Sequence, residues 1–377
     1  MATDPTEIKP KVADSAEKKA SEVTDTTVKP AVATDSKDSK DSKDSEGATA
    51  AVKKEVKDET GATADKPEAN EDDKTPEVEK TNKYKLEPEQ FDKLVAFKEN
   101  AVPEVLDETE YDELFGYQVD PKGKFYDEEI ADRLLIKILK STAWDAVTAK
   151  ETLTKVLKWR KEFKPLSAAF KEEHDAKYDS SVLITVNPEG DANLRVVTWN
   201  FYGKVSDPSV YFADPESFLR WRVGLMERAM QLLDFTSDDN DYMVQIHDYD
   251  NVSLFRMDPK AKTASTSVIA VFKDYYPELL SKKWFVNVPF LMAWLYTMFK
   301  SFVPEVTRKK FAMLRAGTEL SEYISGGSKA FPISYGGLYD GPVEDLKYEV
   351  KKDQMTKYTK FILQKEEEDK KLADELD

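Results

Sequence analysis

Apolar residues recur at helical spacing in the first folded part of the chain. The stretch "PEQFDKLVAFKEN", 88–100, predicts a helix that starts at Pro88 and places Phe91, Leu94 and Val95 on one face. A loop with Pro103 and "VDPKGK" follows. Two more amphipathic stretches, "DEEIADRLLIKILKS" and "WDAVTAKETLTKVLKWRKEF", predict longer helices, the first with acidic residues at its start. Together these patterns predict a helical unit over 84–170.

Beyond residue 180 the pattern changes to strands that alternate with helices. Short β-branched or alternating runs predict five strands, at 181–187, 193–203, 242–249, 283–289 and 309–315. Helical runs lie between or after them: 214–233, 262–277, the intensely apolar 290–303, and the glycine-closed 319–327. This alternation predicts an α/β domain over 171–345, with a partly parallel sheet covered by helices.

The strand "YMVQIHDY" carries unusual chemistry on one face. Side chains two residues apart point the same way in a strand, so Gln245, His247 and Tyr249 share a face opposite Val244 and Ile246. An amide, an imidazole and a phenol in a row suit either the solvated face of an edge strand or the wall of a cavity. The pattern leaves both interpretations open.

Composition separates the ends of the chain from its middle. The first 83 residues contain no Phe, Trp, Tyr or Leu, include the repeat "TDSKDSKDSKDSE", and carry 15 Lys against 21 acidic residues. Such a segment cannot bury enough apolar surface to offset its ordering entropy, so 1–83 is predicted to be a disordered acidic tail. The last residues, 346–377, predict a charged helix or tail. The middle is long enough for one α/β domain with a helical appendage.

Charge and residue usage exclude several function classes. A net charge of −17 argues against a nucleic-acid partner, which would require a basic patch. The absence of cysteine excludes disulfides and thiolate metal sites, and the lack of an N-terminal apolar region argues against secretion. A cytoplasmic protein fits these features. No nucleophile–base pair, phosphate loop or zinc motif is recognisable, so we expect no enzyme.

Two polar features have simple interpretations. His174 lies among acidic residues and is predicted to be a solvated side chain. The carboxylates of Asp238, Asp239 and Asp241 lack the spacing of a calcium loop, so a turn rich in capping residues is the better interpretation.

Several stretches resemble the CRAL-TRIO lipid-transfer family. They are "LKWRKEF", "YYPELLSKKWFVNVPFLMAW", "KKFAML" and "ISYGGL", which occur in the order typical of the family. The resemblance implies a helical N-terminal unit and an α/β domain with a deep apolar pocket, closed by a mobile gate helix. It assigns that gate to 290–303, which periodicity alone would interpret as a core helix. "VTWNFYGK" and "WRVGLMERAMQLLDFTSDDNDYMVQIHDYD" resemble a fungal branch of atypical phosphatidylinositol-transfer proteins that also bind haem.

The resemblance implies roles for individual residues. It makes Tyr249 the axial ligand of the iron in ferric haem b, with Tyr202, Arg222, His247 and Lys283 lining the site. Tyrosinate can hold ferric haem, provided that nearby cations or donors stabilise the phenolate. Arg222 and His247 would do so, and Arg222 and Lys283 would also pair with propionates.

For an inositol headgroup, the resemblance implies Glu278 as an acceptor for ring hydroxyls and Lys309 as a partner for the phosphate. The chain departs from the family pattern at Val306, where phosphate-contacting members carry a hydroxyl.

We therefore expect a phosphatidylinositol-binding and transfer protein, without catalytic activity, that also binds haem. It would contact membranes transiently, and would be cytoplasmic with peripheral association to the endoplasmic reticulum or other membranes. Two alternatives remain open: a dedicated haem-binding protein of the oxidative-stress response with secondary lipid transfer, and a weak haem peroxidase.

Overall fold

A computed structural model describes residues 82–252, 259–290, 309–324 and 328–376, and Val78–Asp377 forms one compact unit. Three predictions lie outside the described residues: the tail up to residue 81, the gate helix beyond Phe290, and Val306. Nine α-helices are described, as follows: α1 Pro88–Ala96, α2 Val102–Thr109, α3 Glu128–Ser141, α4 Ala146–Phe163, α5 Pro165–Phe170, α6 Pro208–Tyr211, α7 Pro215–Met230, α8 Pro259–Tyr275 and α9 Lys357–Leu376.

The described strands form two sheets. The small sheet pairs β1 (Glu113–Leu114) with β2 (Tyr117–Gln118). The large sheet has the order β3-β4-β5-β6-β7, with β3 antiparallel to β4 and the other neighbours parallel. Its strands are β3 Val182–Val186, β4 Val196–Phe201, β5 Met243–Asp248, β6 Leu280–Val286 and β7 Phe311–Met313. This mixed, partly parallel sheet flanked by helices confirms the predicted fold class.

Strand β5 lies in the middle of the large sheet, not at its edge. It pairs with β4 on one side and with β6 on the other, so that Ile246 lies between Trp199 and Trp284. The edge-strand interpretation of "YMVQIHDY" is therefore wrong. Polar side chains on a central strand lie inside the protein, where each must find a partner or face a cavity.

The two faces of the sheet bury different sets of side chains. Val197, Trp199, Val244, Ile246 and Trp284 belong to one core cluster. The alternate positions of β4 and β5 point to the opposite face, which α7 and α8 cover. The alternation in the sequence thus predicted correctly which side chains of β5 share a face.

Local signals explain where the covering helices begin and end. The carboxylate of Asp214 accepts hydrogen bonds from the backbone N–H groups of Glu216 and Ser217, at 3.0 and 3.1 Å, and Pro215 opens α7. Helix α8 ends at Tyr275, two residues before Pro277, because a proline disfavours helical backbone in the residue before it.

The structure corrects four local predictions. The loop around Pro103 is helix α2, joined to α1 by a π-helical turn at Phe97–Ala101, because proline is tolerated in a first helical turn. The predicted helix 319–327 is a 3₁₀ segment, Gly317–Glu322, as far as it is described. Strand β6 begins at Leu280, and its first four residues are only half-buried. The imidazole Nε2 of His174 is hydrogen-bonded to the carbonyl of Ala168 at 2.6 Å instead of being fully solvated.

A buried ion cluster joins the helical segments to the α/β layer. The guanidinium of Arg160 on α4 contacts the carboxylates of Glu113 and Glu227 at 2.7–3.1 Å, and all three residues are fully buried. The hydroxyl of Tyr276 donates to Glu227 at 2.6 Å. The cluster therefore ties α4, the small sheet, α7 and the end of α8 together.

The acidic turn at 238–241 also faces the helical segments. Asp238 pairs with Lys85 and Arg133, and Asp241 pairs with the buried Lys137 at 2.8 Å. A turn of capping residues was therefore an incomplete interpretation, because two of its carboxylates are salt-bridge partners. No described helix combines the length and apolarity that a membrane span requires.

Candidate functional site

A large cavity lies between the sheet, α7 and α8. Its volume is about 870 Å³, within the range typical of small-molecule sites. Apolar side chains form much of the wall, among them Phe212, Phe218, Trp221, Met226, Val268, Phe272, Phe285 and Phe311. Six of the residues predicted from the resemblance also line it: Tyr202, Arg222, His247, Tyr249, Glu278 and Lys283.

The ends of β4 and β5 bring two phenols together. Tyr202 follows β4 directly and Tyr249 follows β5, where its N–H donates to the carbonyl of Val286 at 3.0 Å. The ring centroids of Tyr202 and Tyr249 are 4.9 Å apart. The backbone segments that carry these two tyrosines also approach each other closely at Gly203. Only glycine fits there, because a Cβ would lie 1.8 Å from the carbonyl oxygen of Asp250.

His247 is neutral and has one free ring nitrogen. Its Nδ1 is 2.6 Å from the hydroxyl of Tyr202, while its buried Nε2 has no hydrogen-bond partner within the described structure. Burial, followed by the charges of Lys283 and Arg222, lowers the pKa of His247 well below its ordinary value. The imidazole is therefore held by one nitrogen and presents the other as an unsatisfied polar atom.

Two cations in the cavity wall have no carboxylate partner. Neither Arg222 on α7 nor Lys283 on β6 forms an ion pair with any acidic group in the described parts of the chain, and Nη1 of Arg222 is buried without a hydrogen bond. Burial lowers the pKa of Arg222. It lowers the pKa of Lys283 to about 8, with the charge of Arg222 as the second cause. Buried charges of one sign without a counterion are costly, so this region favours an anion.

The two phenols differ in their electrostatic surroundings. Burial raises the pKa of both, but the charge of Arg222 opposes this rise at Tyr202, whereas at Tyr249 the second cause is Tyr202 itself. The predicted effect of Arg222 on a phenolate thus falls on Tyr202. His247 likewise contacts Tyr202 through its hydrogen bond, and its effect on Tyr249 would be indirect.

The predicted headgroup residues are separated. Glu278 lines the cavity in the turn before β6, at a positive φ of 52°, and its carboxylate pairs with Lys310 at 3.0 Å. Lys309 is exposed and is not among the described cavity residues. Lys310, the ion-pair partner of Glu278, is likewise not a lining residue of the cavity, and two neighbouring lysines before a short strand give no sequence signal as to which one pairs with Glu278.

The residues present fit a haem group. The phenol of Tyr249 and the free imidazole nitrogen of His247 are groups that could meet the iron. The two cations suit the propionates, and the apolar walls suit the porphyrin ring. In the described residues no group of three or more His, Cys, Asp or Glu could hold a bare metal ion.

Comparison with known proteins places the chain in a family. The CRAL/TRIO domain profile matches residues 182–337. The phosphatidylinositol transfer protein SFH5 of Kluyveromyces lactis is 49% identical over 236 residues, 63% of this chain and 78% of the relative. SFH5 of Saccharomyces cerevisiae is 43% identical over 289 residues, 74% and 96% of the two chains. The chain belongs to the CRAL/TRIO family.

Within the CRAL/TRIO family, the similarity extends to a solved structure. A crystal structure of Sfh5 matches with a TM-score of 0.67 and 41% sequence identity, covering 74% of this chain and 96% of the other. The resemblance to the fungal branch is thereby confirmed. The match to nearly the whole solved chain includes the helical segments as well as the α/β layer.

Proposed function

We propose that this CRAL/TRIO protein binds phosphatidylinositol and transfers it between membranes, and that the same cavity binds haem. The relatives named as phosphatidylinositol transfer proteins support the first part, together with an apolar cavity large enough for acyl chains. The protein would therefore be a cytoplasmic lipid carrier, which takes up and releases its ligand at membrane surfaces. Transient membrane contact and peripheral association with the endoplasmic reticulum or other membranes belong to the same proposal.

Glu278 is the residue best placed to read the inositol ring. Its carboxylate lines the cavity and can accept hydrogen bonds from hydroxyl groups. Its partner Lys310, whose Nζ lies 3.0 Å from that carboxylate, would meet the lipid phosphate, a role that the resemblance implied for Lys309. The gate helix at 290–303 remains a prediction.

The observation that carries the haem proposal is a set of unsatisfied groups that line the cavity. The free Nε2 of His247, Tyr249, and the two cations Arg222 and Lys283, which have no acidic partner among the described residues, all line it. Haem b supplies, when bound, a ferric iron that accepts an anionic oxygen ligand. Tyr249 would give up its proton to become that ligand, His247 and Tyr202 would hold each other beside it, and the two cations would meet carboxylates.

A dedicated haem protein with secondary lipid transfer is the second candidate. It is favoured by the unsatisfied nitrogens of Arg222 and His247 in the cavity, which an uncharged acyl chain would leave without a partner. A weak peroxidase finds less support, because the relatives carry the names of transfer proteins.

Haem content and the Soret spectrum test the iron ligand. Tyr249→Phe deletes one hydroxyl and little volume, so we expect loss of the ferric tyrosinate spectrum and of most bound haem. His247→Ala should change the spectrum less, and Tyr323→Phe, a half-exposed tyrosine outside the cavity, should match the wild type. Wild-type absorption in Tyr249→Phe with loss in His247→Ala would assign the iron to Nε2 of His247. A colourless wild type after reconstitution would refute the haem proposal.

Vesicle transfer tests the lipid part independently. Glu278→Gln should lower phosphatidylinositol transfer while leaving haem content unchanged, because the carboxylate accepts more hydrogen bonds than the amide. Glu322→Gln, an exposed glutamate away from the cavity, is the matched control. Equal phosphatidylinositol transfer by Glu278→Gln and the wild type would remove Glu278 from the headgroup site.

A further inference from the structure

Arg222 and Lys283 give the cavity a positive charge, and this charge does not depend on iron. Arg222 and Lys283 come from different elements, α7 and β6, and both line the cavity. Besides burial, the charge of each lowers the pKa of His247, and the phenols of Tyr202 and Tyr211 also interact with Arg222. No described carboxylate offsets their charge.

The cavity combines apolar walls with this positive charge. Phe212, Phe218 and Phe272 line it together with Arg222 and Lys283. Nη1 of Arg222 is buried and has no hydrogen-bond partner in the described structure. A ligand that suits both features therefore has an apolar body and an anionic group.

We propose that the cavity binds long-chain carboxylic acids, with the carboxylate held by Arg222 and Lys283. A guanidinium donates two parallel hydrogen bonds to a carboxylate, and an ammonium adds a third donor and a second charge. The apolar rings that line the same cavity suit an acyl or polyene chain. The proposal rests on the cavity of the proposed function, and needs neither the iron nor the inositol headgroup.

Haem and free fatty acids both carry carboxylate groups. A haem propionate and a free fatty acid would compete for the same two cations, so the experiment must separate them.

Fluorescence of cis-parinaric acid, a long-chain polyene acid, measures the binding. Haem-free and delipidated full-length protein is titrated with the acid and with its methyl ester, which has the same chain but no charge. We expect the acid to bind about tenfold or more tightly than the ester, since hydrogen bonds to charged groups contribute more than neutral ones. Equal affinity of the acid and the ester in the wild type, or no binding of the acid, would overturn the proposal without any variant.

Variants then locate the carboxylate. Arg222→Met and Lys283→Met should each reduce the preference for the acid, and the double variant should abolish it. Lys155→Met is the matched control, because Lys155 also lines the cavity but pairs with Asp274 at 2.7 Å. A preference that survives in a folded double variant would place the carboxylate elsewhere and refute the assignment.

Tyr249→Phe separates this proposal from the haem proposal. It should retain acid binding, because the phenolate is needed only for iron. Displacement of cis-parinaric acid by haemin in the wild type would show that both ligands occupy the same cavity. Phosphatidylinositol transfer, measured in parallel, reports on the headgroup site, so failure of the proposed function and failure of this inference give different results.

Discussion

Two arginines of the protein are in opposite circumstances. Arg160 contacts two carboxylates through four hydrogen bonds, and the group of three is sealed from solvent. Among the described residues, a buried nitrogen of Arg222 has no hydrogen-bond partner, and the titratable groups around it are cationic or neutral. The first arginine is satisfied by the fold itself, whereas the second is left for a ligand to satisfy. The presence of a carboxylate partner therefore distinguishes Arg160, which stabilises the fold, from Arg222, which is available to a ligand.

The two buried lysines show the same contrast. Burial lowers the pKa of both Lys137 and Lys283 to about 8. Lys137, however, contacts Asp241 at 2.8 Å and the carbonyl of Glu278 at 3.2 Å, and lies over the ring of Tyr242. A shifted pKa alone would place both lysines at a functional site. The contacts assign Lys137 to the scaffold and Lys283 to the cavity.

The largest expected effect is the loss of Arg160. Arg160→Met leaves the carboxylates of Glu113 and Glu227 buried without a counterion, and burial already raises the pKa of Glu113. Removing one partner from such a cluster costs about 3–5 kcal/mol. Urea unfolding monitored by circular dichroism should show this loss, or a protein that no longer folds.

Arg222→Met is the matched control for Arg160→Met. It removes a buried cation that has no counterion, so the unfolding free energy of the ligand-free protein should stay the same or rise. Similar losses of stability in the two variants would contradict the distinction between a satisfied and an unsatisfied arginine.

Lys137→Met should have a smaller effect on stability. It leaves Asp241 with one unpaired carboxylate oxygen, and Asp241 is only 9% exposed. Leaving a buried polar group unsatisfied costs about 1–3 kcal/mol. The double variant Lys137→Met with Asp241→Asn should recover part of this loss, because the amide carries no charge. A double variant no more stable than the single one would show that Lys137 acts mainly through packing on Tyr242.

The sequence pattern predicted which strand side chains share the site better than it predicted which charged residues line it. Strict alternation in β5 correctly placed His247 and Tyr249 on one face, because the two-residue period of a strand is a local property. The predicted helical run 214–233 began correctly at Asp214, because the capping carboxylate that starts α7 is an equally local signal. Resemblance, and not pattern, singled out Arg222 and Lys283.

Long-range pairing was beyond the reach of the sequence. Arg160 meets partners 47 and 67 residues away, and nothing in the local pattern of α4 identifies them. The choice of Lys310 over Lys309 as the partner of Glu278 likewise depends on how β7 pairs with β6. Which buried charge is satisfied, and which is left open, is decided only when distant elements pack together.

The smallest expected effect is the pH dependence of stability caused by Lys283. Its pKa is about 8 in the folded protein and about 10.5 when unperturbed, so between these values the unfolded chain binds more protons than the folded one. The cost of burying the charge is therefore fully present below about pH 8 and is relieved as the pH rises towards 10.5. Lys137 shares this behaviour, so only the difference between wild type and Lys283→Met isolates Lys283.

That difference should favour Lys283→Met at pH 7 and shrink as the pH is raised from 8 to 10, as measured by urea unfolding at each pH. A bound carboxylate should cancel the effect, because an anion beside Lys283 raises its pKa again. Binding of a long-chain acid near pH 8.5 should then take up a proton from the buffer. Calorimetry in two buffers of different ionisation enthalpy detects that uptake, and Lys283→Met should abolish it. A stability difference independent of pH, together with no proton uptake in the wild type, would show that Lys283 is not the charge that the cavity leaves unpaired.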